Sequence, residues 1–141
     1  MAQYLIVTHK TAFAPELREK VSELMGNDAE AEFGILVPQT AGENYTWEGE
    51  TVNPAQETAE ALSEALESTL GANVSRIAIG VDDPLQAIAD ELRIGNRDYD
   101  ALVISTLPLG VSQWLRRDLV HQATRKFGLP VHHVIGTPVQ H

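Results

Sequence analysis

The sequence predicts an α/β fold: a parallel sheet of five strands with helices packed on both of its faces. Two observations predict it. Short apolar runs alternate with amphipathic stretches of helical period in the order βαβαβαβαβ, and the short runs are continuously apolar. Strands of that kind are buried on both faces, as parallel strands joined by crossover helices are. Right-handed crossovers then leave few topologies.

Each element follows from its residues. Tyr4–Thr8 is a β-branched and aliphatic run. Pro15 suits the first turn of a helix whose inner face is Leu17, Val21, Leu24 and Met25, running to Gly26. Phe33–Val37 is the second strand. Pro38–Val52, rich in Gly, Thr, Asn and Glu, reads as a long loop containing Tyr45 and Trp47. Asn53-Pro54-Ala55-Gln56 is a strong helix start, with a capping Asn, Pro in the first turn and Gln three residues after the cap. Ala59, Leu62, Ala65, Leu66 and Leu70 form that helix's apolar stripe, Glu57, Glu60, Glu64 and Glu67 its wet face, and Gly71 its left-handed end. Val74–Gly80 is the third strand. Asp83-Pro84 opens a helix carrying Leu85, Ile88, Ala89 and Leu92. Ala101–Ser105 is the fourth strand. Ser112 caps a helix with Leu115, Leu119, Ala123 and Phe127 inward, Gly128 closes it, and Val131–Ile135 is the fifth strand.

The chain has 141 residues, of which 43% are hydrophobic, enough for one domain over 1–141 with its own core. It has no cysteine, which excludes a disulfide framework and thiolate chemistry. Twenty acidic residues against ten basic give a net charge of −10, arguing against nucleic-acid or anionic-membrane partners. No stretch approaches the roughly 20 apolar residues of a membrane helix. The start lacks the basic and apolar regions of a secretory signal, so a cytoplasmic protein is expected. Within this acidic chain, residues 111–141 are basic: Arg116, Arg117, Arg125 and Lys126 stand against Asp118 alone.

In an open doubly wound sheet, ligands bind beyond the carboxyl ends of the strands where the strand order reverses. With the order 3-2-1-4-5, that crevice lies between strands one and four. Thr8-His9-Lys10-Thr11 and Ser105–Ser112 then face each other across it. A helix opening at Ser112 would direct unpaired N–H groups and a positive dipole end into the crevice, a generic anion site. Ser105, Thr106 and Ser112 add hydroxyls, and Gly110 lies in the same ligand-facing segment. Arg116 or Arg117 lies one turn into the helix, where an arginine–anion bond contributes about 1.5–3 kcal/mol. The competing account is that Ser112 only caps the helix and both arginines are solvated. Trp114 either closes over a ligand base or packs beneath the Pro38–Val52 loop.

Three segments carry a resemblance: Gly80-Val81-Asp82-Asp83-Pro84-Leu85-Gln86-Ala87-Ile88, Tyr99-Asp100-Ala101-Leu102-Val103-Ile104-Ser105 and Gly128-Leu129-Pro130-Val131-His132-His133-Val134. In order and spacing the chain resembles the universal stress protein family over nearly its whole length. The resemblance implies the sheet order 3-2-1-4-5 and a homodimer joined through the last strand, Val131–Ile135. It also raises nucleotide binding, since some members bind ATP. Those members wrap the phosphates with glycine amides after strand four, whereas this chain has Ser105, Pro108 and Arg117 or Asp118 at the glycine positions. Proline has no N–H to donate, and bulky residues cannot approach phosphate as glycine does. The acidic residue that serves adenosine near the end of strand one is replaced by Thr8-His9-Lys10. Val81, at the family's adenine-edge position, is retained. Residues 105–116 instead resemble the Ser-Thr-Leu-Pro-x-Gly-x-Ser-x-Trp-Leu-Arg form of a divergent subgroup.

The expected ligand is therefore a small anion such as phosphate, or a nucleotide held otherwise than in ordinary ATP binders. The alternatives are a dimeric stress-response scaffold without a ligand and, least favoured, an enzyme using Lys10 or His9. No catalytic set is expected, since no Ser-His-Asp order, HExxH or Walker loop occurs in the sequence, and no metal site, because His132 and His133 are neighbours on a strand and point to opposite faces. If the last strand pairs across a dimer, one of these histidines lies near its symmetry mate and assembly becomes pH-sensitive.

Overall fold

The computed structural model describes residues 3–8, 15–38, 54–80, 84–94, 99–106 and 117–135. Nine elements alternate among the described residues: β1 (Gln3–Val7), α1 (Pro15–Asn27), β2 (Glu32–Pro38), α2 (Pro54–Leu70), β3 (Asn73–Gly80), α3 (Pro84–Ile94), β4 (Ala101–Thr106), α4 (Arg117–Phe127) and β5 (Val131–Ile135). The strands form one parallel sheet in the order β3-β2-β1-β4-β5. The predicted fold class and strand order are both observed.

The alternation of side chains along the central strands divides the core in two. On one face, Ile6, Phe33, Ile35, Val37 and Val103 meet Leu17, Val21 and Leu24 of α1 and Ala59, Leu62 and Leu66 of α2. On the other, Leu5, Val7, Leu36, Leu102 and Ile104 meet Ala87 and Ile88 of α3 and Ala123 of α4. Leu5, Ile6 and Val7 are each fully buried although consecutive, as a central strand covered on both faces requires.

Helix ends follow the glycines with one exception. Gly71 and Gly128 have φ of 69° and 67°, and their N–H groups donate to Glu67 O and Thr124 O at 3.0 Å. These are left-handed caps, which glycine adopts without a Cβ clash. Gly26, expected to end α1, is instead helical: the helix runs to Asn27, and Asp28 N–H donates to Leu24 O at 3.0 Å. Asp28 terminates it, its side-chain oxygen accepting from Glu30 N–H at 3.0 Å and so turning the chain. The first strand also begins one residue early, at Gln3, because Gln3 N–H donates to Asp100 Oδ2 and Asp100 N–H to Gln3 O, both at 2.7 Å. Those bonds tie the start of β1 to the start of β4.

Candidate functional site

The chain lays down β1, β2 and β3 in one direction and then returns to add β4 and β5 on the other side of β1. The reversal is therefore between β1 and β4, whose last register pair is Val7 with Ile104. One step further stand Thr8 and Ser105, at 0% and 1% exposure, two buried hydroxyl residues side by side at the carboxyl ends of adjacent strands. Thr8 N–H donates to Leu36 O at 3.2 Å, which carries the β1–β2 ladder one residue past the strand and fixes the position of Thr8. Ser105 follows Val103 in alternation, so its side chain belongs to the α1/α2 face. Both residues are buried where the two strands end.

Thr106 completes β4 and stands in register with Ile135. Arg117 is the first residue of α4, whose expected start at Ser112 lies outside the described residues. His9, Lys10, Val81, Gly110, Ser112, Trp114 and Arg116 also lie outside them. The structure thus brings together Thr8, Ser105 and Thr106 at the reversal.

Sequence reasoning passed over a second polar group. Arg76 on β3 donates to Glu91 on α3 through Nε to Oε2 at 2.5 Å and through a terminal nitrogen to Oε1 at 3.0 Å. Tyr99 OH donates to the same Oε2 at 3.0 Å. The Glu91 side chain is 4% exposed and that of Arg76 34%. The hydrogen bond it donates to Glu91 holds Arg76 above its ordinary, already high pKa, against the opposing effect of burial. A Cβ on Gly34 would lie 2.6 Å from Tyr99 OH, so glycine there makes room for the phenol. The β2–β3 register shift falls between Phe33 and Gly34, and Gly34 is in register with Arg76. This group fastens the late part of α3 to β3 and to the entry of β4, and it has the character of a structural clamp. The sequence signal was available: Glu91 lies four residues after Ala87 and three after Ile88, on the buried stripe of its helix.

The histidines of β5 do point to opposite faces. His132 lies edge-on to Tyr4 at 6.1 Å between ring centroids, and Tyr4 stacks on Phe33 at 5.6 Å. Burial is the main cause that lowers the pKa of His132; Lys20 adds to it and Glu23 opposes it. His133, on the α3/α4 side, is exposed, and the part of it that is covered lowers its pKa. A depressed folded pKa means that the unfolded chain takes up the proton first as pH falls. Stability should be intact above pH 6.5 and decline below it, through the folded-state pKa values. Chemical denaturation at pH 7.5 and 5 measures this, and His132→Asn should show a smaller decline than the wild type.

No protein-family model and no curated protein sequence matches the chain. Among solved structures, it is similar to a universal stress protein from Archaeoglobus fulgidus, with a TM-score of 0.61 at 14% sequence identity over 95% of this chain and 93% of that one.

Proposed function

We propose that this is a universal-stress-protein-like binding protein of the divergent kind, which holds a small anionic ligand, phosphate or a nucleotide, at the β1/β4 reversal. The observation that carries the reading is the pair of adjacent hydroxyl residues, Thr8 and Ser105, at the carboxyl ends of the strands where the sheet order reverses. The fold it shares with a stress protein supports it. Lys10, Ser112, Arg116 and Arg117 follow these strands in sequence and supply cationic and hydroxyl groups suited to an anion. Thermal-shift measurements with ATP, ADP, AMP, phosphate and sulfate test it. An anion-specific rise of melting temperature that is lost in Arg116→Ala or Arg117→Ala is the expected result. No response to any of the five would favour the second reading, a scaffold acting through its surface, to which Pro108 in place of a phosphate-binding glycine already inclines.

We further propose a homodimer formed edge to edge through β5. This strand ends the sheet, contains no charge-fixed residue or proline, and leaves Ile135 52% exposed. A terminal strand of that composition invites pairing. The opposite edge, β3, also exposes an apolar side chain, Ile77 at 40%, but it carries Arg76, drawn in toward Glu91.

A further inference from the structure

We propose that α1 is a pH-released helix: in mild acid His132, seated beneath it, takes a proton beside Lys20, and α1 lifts from the sheet while the rest of the fold stays closed.

α1 packs on β5, where Val134 joins Leu17, Val21 and Leu24 in one core. His132 stands two residues before Val134 and so faces the same side of the sheet. Its ring is partly buried and meets Tyr4, which packs against that same core, edge-on. The helix therefore closes over a ring that is uncharged, because a charge there has lost part of its water.

The groups facing His132 set the direction of the response. From α1 they are Lys20, which opposes a second positive charge, and Glu23, which favours it. These two pair with each other at 3.1 Å, and the carboxylate is the more exposed, 62% against 25% for Lys20. Arg18 and Glu19 of the same helix are exposed. From β1 the neighbour is Tyr4; β4, whose Val103 is in register with His132, has no titratable side chain. His133 points to the other face. Burial and Lys20 together outweigh Glu23, so proton uptake favours the state in which the ring meets water.

α1 is also the element placed to let go. Of its 13 residues, Leu17, Val21 and Leu24 alone are buried. It shares no core cluster with α3 and α4, whose buried residues lie on the other side of the sheet. α2 sits on β2 and β3, away from β5, and keeps Ala59, Leu62 and Leu66 covered there. Segments with few buried contacts open at a lower free energy than the whole fold. Releasing α1 wets His132 without opening the opposite core.

Amide hydrogen exchange of the folded protein at about pH 7 and about pH 5, corrected for the intrinsic pH dependence of exchange, tests the inference. The Val21 and Leu24 amides of α1 should be less protected than Ile88 of α3 at both pH values, and their protection should fall in acid. His132→Gln, unable to take the proton, should lose that fall. Lys20→Met should make it smaller and Glu23→Gln larger, since one removes a charge that opposes the imidazolium and the other a charge that favours it. Equal protection of α1 and Ile88 at the lower pH means that the helix opens only with the whole fold, and overturns a separate release. An α1 protection that does not change with pH overturns the trigger, and a wild-type fall in His132→Gln removes His132 from it. If His132→Gln does not fold, the two α1 variants decide: shifts in the same direction, or none, overturn the proposal.

Discussion

Arg76→Met should lower stability by about 3–5 kcal/mol, because it leaves a carboxylate buried without its cation. Glu91 is 4% exposed on its side chain and cannot turn to water, and Tyr99 OH alone would remain to bond it. Removing Glu91 instead should be milder, since the Arg76 side chain is 34% exposed and its guanidinium can find solvent. Exchanging both for apolar residues, Arg76→Met with Glu91→Leu, should recover much of the loss, as replaced buried pairs commonly do. Denaturant unfolding of the four proteins forms a double-mutant cycle. Near-additive single losses would mean that the two side chains do not act as a pair. The same cycle in Tyr99→Phe should show a smaller coupling, because the phenol contributes one hydrogen bond to a charged acceptor, about 1.5–3 kcal/mol.

The clamp also marks where a sequence stops being legible. The strand order could be read because it depends on the sequence of apolar runs and on crossover handedness, which are properties of long segments. Gly71 and Gly128 were legible as helix ends because a left-handed residue is needed after the last turn. Gly26 misled for the same reason: glycine permits a left-handed end without requiring one, and Asp28 supplied the turn two residues later. Arg76, Glu91 and Tyr99 are each unremarkable alone, and only the β3–α3–β4 packing makes them one group. Thr8 and Ser105 could be foreseen at the reversal because topology alone puts them there. Their burial could not, since it depends on how closely the helices cover the strand ends.

Phe33→Ala should cost about 3–5 kcal/mol, by lost transfer free energy and by the cavity left in a core that cannot fully collapse. Phe33 is fully buried at the amino end of β2 on the α1/α2 face, and its ring stacks on Tyr4 at an interplanar angle of 22°. Tyr4 in turn meets the edge of His132. The three rings run from β2 through β1 and across to β5, with Val103 of β4 in the same core. Truncating the first should therefore loosen the last. With water closer to His132, the burial that depresses its pKa weakens, and the folded-state value moves up toward that of the unfolded chain. A smaller difference between the two states means a shallower dependence of stability on pH below 6.5. Phe33→Leu separates the two effects: it keeps most of the volume, should lose less stability, and still lacks the aromatic face for Tyr4. If Phe33→Ala lowers stability equally at pH 7.5 and 5, with the wild-type slope intact, the rings do not act as a chain and His132 is shielded by α1 alone.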